Sequence, residues 1–160
     1  MIHNLPVSIS ERLKTQHLSL ASGILHLDAI KLINKPKPDK WSIRDNMAHL
    51  ARYQKIFNER IDKILSSDTP VFEPYKAEND IQFEKWLQKT PESLLIEINS
   101  ERVGLIQKLE DLTEADLQKR GIHSSFGIMN ILDWTEFFLL HEAHHLFTIF
   151  KLAHSYYIAV

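Results

Sequence analysis

Through WSIRDNMAHLARYQKIFNERIDKIL, residues 41–65, apolar side chains recur three, four or seven positions apart: Ile43, Met47, Leu50, Phe57, Ile61 and Ile64. That spacing is the helix's own period, and a helix with one such stripe must bury it against other helices. Ser42 supplies an N-cap, and Asp45 places a carboxylate at the positive end of the helix. The same signature returns three more times. Ser8 with Glu11 reads as a capping box opening a first helix towards Asn34, with Leu13, Leu20, Ile24, Leu27 and Leu32 among its apolar positions. Thr90-Pro91 starts a third helix, proline being tolerated at its first position, through Leu94, Leu95, Ile98, Val103, Leu105 and Leu109. A fourth runs from about Asn130 to Ser155. Between the second and third helices, SSDTPVFEPYKA is a loop and IQFEKWLQK a shorter helix. That connection is longer than a tight hairpin needs, so it has room for a crossover. LTEADLQKRGIHSSFG turns the chain before the fourth helix, and no segment alternates convincingly with the period of a strand. The expected fold is all-α, a four-helix bundle in a single domain over residues 1–160.

Composition removes several classes of function. Nineteen Lys+Arg face 21 Asp+Glu, a net charge of -2, with no block of one sign to bind phosphates, so nucleic acid is not an expected partner. The opening MIHNLPVSISERLKTQHL lacks the basic flank and apolar run of a signal peptide. No stretch reaches the ~18 uncharged apolar residues of a membrane span. The expectation is a cytoplasmic protein without a membrane partner. With no cysteine, the chain has no disulfide, thiolate metal ligand or Cys nucleophile, and its chemistry rests on N and O atoms.

The fourth helix carries HEAHH, residues 141–145, in apolar surroundings. His141 and His145, four apart, lie about 40° from each other around the axis, so their imidazoles can converge. Trp134, Phe138, Thr148 and Leu152 share their side, whereas His144 shares a row with Leu140, Phe147 and Lys151. A third ligand must come from another helix, and His49, beside Asn46, Tyr53 and Ile56 on the second, is the candidate. Three neutral imidazoles with one open position form a catalytic type of metal site, and without sulfur the divalent ion would be zinc or nickel. HEAHH also fits H-E-x-x-H literally, with Glu142 as the base of a metallopeptidase. Such enzymes take a third ligand downstream, and none follows Ser155. Glu142, about 100° from His141, faces an adjoining helix or solvent, or stands behind a ligand imidazole. From spacing alone, core histidines bonded to carbonyls or hydroxyls fit as well as metal ligands do. Gln54 reads as a hydrogen-bonded polar residue of the seam, and Trp41, Trp86 and Trp134 as packing anchors. The tail YYIAV covers a bundle end or joins a dimer contact.

Taken together and in order, WSIRDNMAHL, the stretch from TPESLLIEINSERVGLIQKLEDL onward, the turn GIHSSFG and the final LDWTEFFLLHEAHHL resemble the DinB/YfiT-like superfamily. The likeness spans most of the chain from Trp41 onward. It implies a four-helix bundle, frequently a homodimer, with a metal on one histidine from helix two and an H-x-x-x-H pair from helix four. Those positions fall on His49, His141 and His145, and the resemblance tilts the choice towards metal. It also implies a small-molecule substrate and an enzyme that transfers a low-molecular-weight thiol, such as bacillithiol or mycothiol, to a small electrophile. A metal-dependent hydrolase or a binding module is the alternative. Two departures stand out. Leu146, Phe147 and Thr148 replace the Arg-Gly-Gln that many relatives carry after the double histidine, and Ser124 follows His123 where a proline is common. His123 approaches the site's mouth or lies in a solvated loop, and the resemblance names no catalytic residue.

Overall fold

The computed structural model describes residues 4–155. Three long helices, α4 (Ile43–Ser66), α6 (Pro91–Glu110) and α8 (Ile131–His154), carry the bundle. The remaining position is filled by α1 (Val7–Thr15) and α2 (Leu18–Ile24) in series, α1 against α6 and α8, and α2 against α8. Short helices α3 (Ala29–Ile33), α5 (Phe83–Leu87) and α7 (Glu114–Leu117), with a 3₁₀ turn at Ala77–Asn79, complete the helical part. No helix among the described residues is long and apolar enough to cross a membrane.

The long helices begin where their side chains can close the first turn. Ser42 Oγ accepts from Asp45 N at 3.1 Å while Asp45 Oδ2 accepts from Ser42 N at 3.0 Å. Asn130 and Asp133 repeat this reciprocal pair ahead of α8. Thr90 caps α6 with Pro91 behind it. Each device satisfies backbone N–H groups that have no partner inside the helix.

The first helix departs from its sequence reading. It is not continuous to Asn34, and Ser8 is not its cap: Pro6 holds that position without a side-chain bond. The first break falls at Gln16 and His17, neighbours whose side chains both turn into a buried polar network. The second precedes Asp28, whose carboxylate restarts the backbone as α3 by accepting from Lys31 N at 2.7 Å.

A three-stranded sheet joins the bundle, although no strand period marks it in the sequence. Its order is β1 (Val71–Phe72), β2 (Arg120–His123) and β3 (Gly127–Asn130), with β1 parallel to β2 and β2 antiparallel to β3. Strands of two to four residues are too short to display alternation. The β2–β3 turn is Ser124-Ser125-Phe126 followed by Gly127 at φ +82°, a left-handed conformation that favours glycine and suits a short hairpin loop. Gly121 lets the sheet lie close on α4, since a Cβ there would stand 3.0 Å from Ile64 Cγ1 and Phe72 Cε2. The tail YYIAV lies outside the described residues.

Two apolar clusters form the core. One gathers Leu13, Phe57, Ile61, Leu105, Trp134 and Phe138, and the other Leu20, Met47, Ala48, Leu94, Ile98 and Ile149. Tyr75, from the α4–α5 connection, packs against both. The candidate histidines sit along this boundary.

Candidate metal centre

His49 from α4 and His141 and His145 from α8 come together, with one ring nitrogen of each lying within 4.8 Å of the others. The closest approach is His49 Nε2 to His141 Nε2, 3.1 Å. Two imidazole nitrogens on one tetrahedral zinc, at ~2.05 Å each, would stand about 3.3 Å apart, so the observed spacing fits two ligands of a single ion. His144 is exposed on the outside of α8.

Burial sets the protonation of these rings. His49 is buried and the other two are half-buried. Desolvation chiefly, with the neighbouring imidazoles behind it, pushes His49 down to about 2 and His141 to about 3. His145 falls to about 4, again mainly through burial. All three are therefore neutral at pH 7, the form that coordinates a metal. The surroundings are aromatic. Trp41 lies 4.9 Å from the His49 ring and stacks at 6.0 Å on His145, Tyr75 stacks at 5.5 Å on His49, and Tyr53 contacts His141 at 4.1 Å.

A second set of contacts orients only one of these ligands. Asn46 donates from Nδ2 to the Ser42 carbonyl at 2.8 Å, which turns its Oδ1 inward to accept from His145 Nδ1 at 2.8 Å. That bond fixes the tautomer of His145 and leaves Nε2 with a free lone pair. The Nδ1 atoms of His49 and His141 are buried without a partner among the described residues. Asn46 thus orients the His145 ring, and the His49 and His141 rings have no equivalent bond among the described residues.

Glu142 is engaged elsewhere. Its Oε1 pairs with Arg102 Nη2 and its Oε2 accepts from Gln16 Nε2 at 2.8 Å. Arg102, fully buried, also donates from Nε to Gln54 Oε1 at 2.7 Å, and from Nη1 to the Leu13 carbonyl at 3.1 Å and to His17 Nδ1 at 3.3 Å. Gln54 in turn donates to the Ile98 carbonyl at 2.7 Å. The carboxylate that the H-E-x-x-H reading offers as a base is consumed by this network, and neither oxygen bonds a ligand imidazole.

His123 is neither a solvated loop residue nor part of the trio. It is buried on β2, accepts from Ser125 N at 3.1 Å, and lies among Phe126, Trp134 and Phe137. Trp41, read as a packing anchor, is also a wall of the site. Asn46 is detectable in the sequence, since it precedes His49 by three positions and so shares its side of α4. Tyr75 arrives from a loop, for which helix periodicity offers no rule.

The family model of the DinB superfamily matches residues 24–149, a span that includes all three histidines. The chain belongs to the DinB superfamily. Among solved structures, this DinB chain is similar to YfiT from Bacillus subtilis, described as a probable metal-dependent hydrolase with an unusual four-helix bundle topology. The two superpose with a TM-score of 0.80 at 18% identity, over 91% of this chain and 84% of that one. At that identity the likeness establishes the shared DinB bundle. No curated protein matches the chain.

The depressed histidine values carry a prediction for the metal-free protein. His17 is also pushed down to about 4, first by burial and then by the Arg102 charge. In the unfolded chain all four imidazoles take up protons near pH 6.5, whereas in the native protein they stay neutral until about pH 4 or below. Between these limits the unfolded state binds more protons, so stability falls as pH falls, by up to about 1.4 kcal/mol per pH unit for each group. Urea midpoints should be level above pH 7.5 and drop steadily from pH 7 to 5. A flat profile over that range would show the histidines are not held neutral.

Proposed function

We propose that His49, His141 and His145 hold one divalent metal ion, zinc or nickel, and that the protein is an enzyme acting on a small molecule at the remaining coordination position. The observation that carries this is the convergence of three neutral imidazoles with two Nε2 atoms 3.1 Å apart. When bound, such an ion acts as a Lewis acid and lowers the proton affinity of a thiol or a water molecule.

Thiol transfer to a small electrophile is the reaction we favour. The residues around the trio offer aromatic faces, and the one acidic side chain within the histidine motif is paired with Arg102. The carboxylate of the histidine motif is therefore not free to deprotonate a nucleophile, and the acidity of a thiol makes such a base least necessary. A chain without cysteine takes its sulfur from an external low-molecular-weight thiol. The protein's own part is to orient His145 through Asn46, to hold the three rings neutral, and to exclude water with Trp41, Tyr53 and Tyr75. Hydrolysis is the second reading, supported by the likeness to YfiT and its description as a probable metal-dependent hydrolase.

The homodimer belongs to the same proposal. Leu140, Phe147 and Phe150 lie exposed along one side of α8, an apolar strip that a second copy can cover. The deciding experiment is to load the protein with zinc or nickel and assay it with thiol and electrophile pairs and with ester and amide substrates. Turnover that needs both metal and thiol supports transfer, and turnover with water alone supports hydrolysis. No turnover in any combination overturns the enzyme reading.

A further inference from the structure

Between α4 and the α4–α5 connection lies an open pocket of about 310 Å³ whose lining includes Arg52, Ile56, Arg60, Tyr75, Lys76 and Asp80. Tyr75 is common to this cavity and to the histidine cluster, since its ring also stacks on His49 at 5.5 Å. Arg60 is the unusual member. It is only 8% exposed, its Nη2 donates to the Glu73 carbonyl at 2.7 Å, and its guanidinium lies over the rings of Phe72 and Trp134 at 5.4 and 5.6 Å. Its Nη1 is buried with no partner among the described residues.

A buried guanidinium ordinarily meets a carboxylate, as Arg102 meets Glu142. Arg60 meets none among the described residues. Of the acidic groups in the same lining, Asp80 accepts from Arg52 Nε at 2.7 Å and from the Tyr75 hydroxyl at 3.1 Å, and Glu73 accepts from the Ser124 hydroxyl at 2.9 Å. Tyr53 is not in this lining but stands behind it, within electrostatic reach of the Arg60 guanidinium. It is 3% exposed, its ring contacts His141 at 4.1 Å, and its hydroxyl has no hydrogen bond among the described residues. Eleven residues at ~100° each return close to the starting direction, so Arg60 lies along the His49 side of α4, with Tyr53 between them.

We propose that Arg60 and Tyr53 form a subsite for an oxyanion, a carboxylate or phosphate group carried by the small-molecule substrate that the histidine centre acts on. This rests on the reading of that centre as a metal site. An arriving oxyanion supplies the charge partner that the guanidinium lacks and accepts from Nη1, and the phenol donates to a second oxygen. The group would anchor the substrate at the cavity side of the histidines, leaving its reacting atom to face them.

The test titrates sodium acetate, inorganic phosphate and the neutral acetamide into zinc-loaded and zinc-free wild type, Arg60→Gln and Tyr53→Phe. Binding is followed by NMR shift changes, zinc content by elemental analysis, and fold by circular dichroism. We expect one of the two anions to bind wild type at least tenfold more tightly than acetamide, with or without zinc, and its identity separates carboxylate from phosphate. Arg60→Gln should remove that preference and Tyr53→Phe should reduce it severalfold, both keeping the wild-type zinc content. A preference that survives both substitutions, acetamide binding as tightly as the anions, or anion binding lost with the zinc overturns the proposal. Should Arg60→Gln fail to fold, Tyr53→Phe and the zinc-free comparison decide it. A protein that takes up no zinc but still prefers the anion retains the subsite and overturns the metal reading alone.

Discussion

Replacing Glu142 by alanine should cost about 3–5 kcal/mol of stability, the range for breaking a buried ion pair by removing one partner. The carboxylate is 3% exposed and the Arg102 guanidinium opposite it is fully buried, so the substitution leaves a cation without a counter-charge and without water. Gln16 loses an acceptor in the same step. Glu142→Gln keeps the shape and part of the hydrogen bonding but not the charge, and should fall between the wild type and Glu142→Ala. Replacing Arg102 by methionine and Glu142 by leucine together should recover much of the loss, because two apolar side chains leave no unpaired charge. Urea unfolding of the four proteins measures this. A loss below about 1 kcal/mol for Glu142→Ala would mean that the pair is solvated, and would return Glu142 as a candidate base.

The second large effect concerns metal affinity. Asn46→Ala should weaken zinc binding by about 10- to 100-fold while leaving the fold intact, the range for losing a partner that orients a ligand imidazole. Asn46 is singled out because His145 has this orienting bond while His49 and His141 have no partner at Nδ1 among the described residues. Competition with a chromophoric chelator gives the dissociation constants. Equal affinity in the two proteins would show that the His145 ring is positioned by packing against Trp41 and not by its hydrogen bond.

Helix arithmetic made much of this legible. The four-apart spacing of His141 and His145 and the place of His49 beside the stripe of α4 selected three side chains that the fold brings to one point. Ser42 is a cap where the sequence places one, and α6 and α8 start at Thr90-Pro91 and Asn130 as read, whereas Ser8 caps nothing. What escaped the sequence depends on distant partners. Arg102 lies in an otherwise ordinary amphipathic helix, and nothing near it announces burial against Glu142, 40 residues away. The sheet joins strands from two separate connections, each too short to show a period. The first helix breaks where Gln16 and His17 turn inward, a demand set by α6 and α8 and not by local propensity. Nothing in the local sequence marks Arg60, and only the packing of Phe72, Trp134 and the Glu73 carbonyl around it reveals a buried cation without an acidic partner among the described residues.

The central claim is that the three histidines hold a metal, and metal content per chain tests it most directly. Elemental analysis of protein purified without a histidine tag and incubated with zinc or nickel, then freed of unbound ion, should give close to one equivalent for the wild type. His145→Ala, folded by circular dichroism, should give less than a tenth of that. No bound metal in the wild type, or the same content in both proteins, would contradict the account and leave His49, His141 and His145 as packed core histidines.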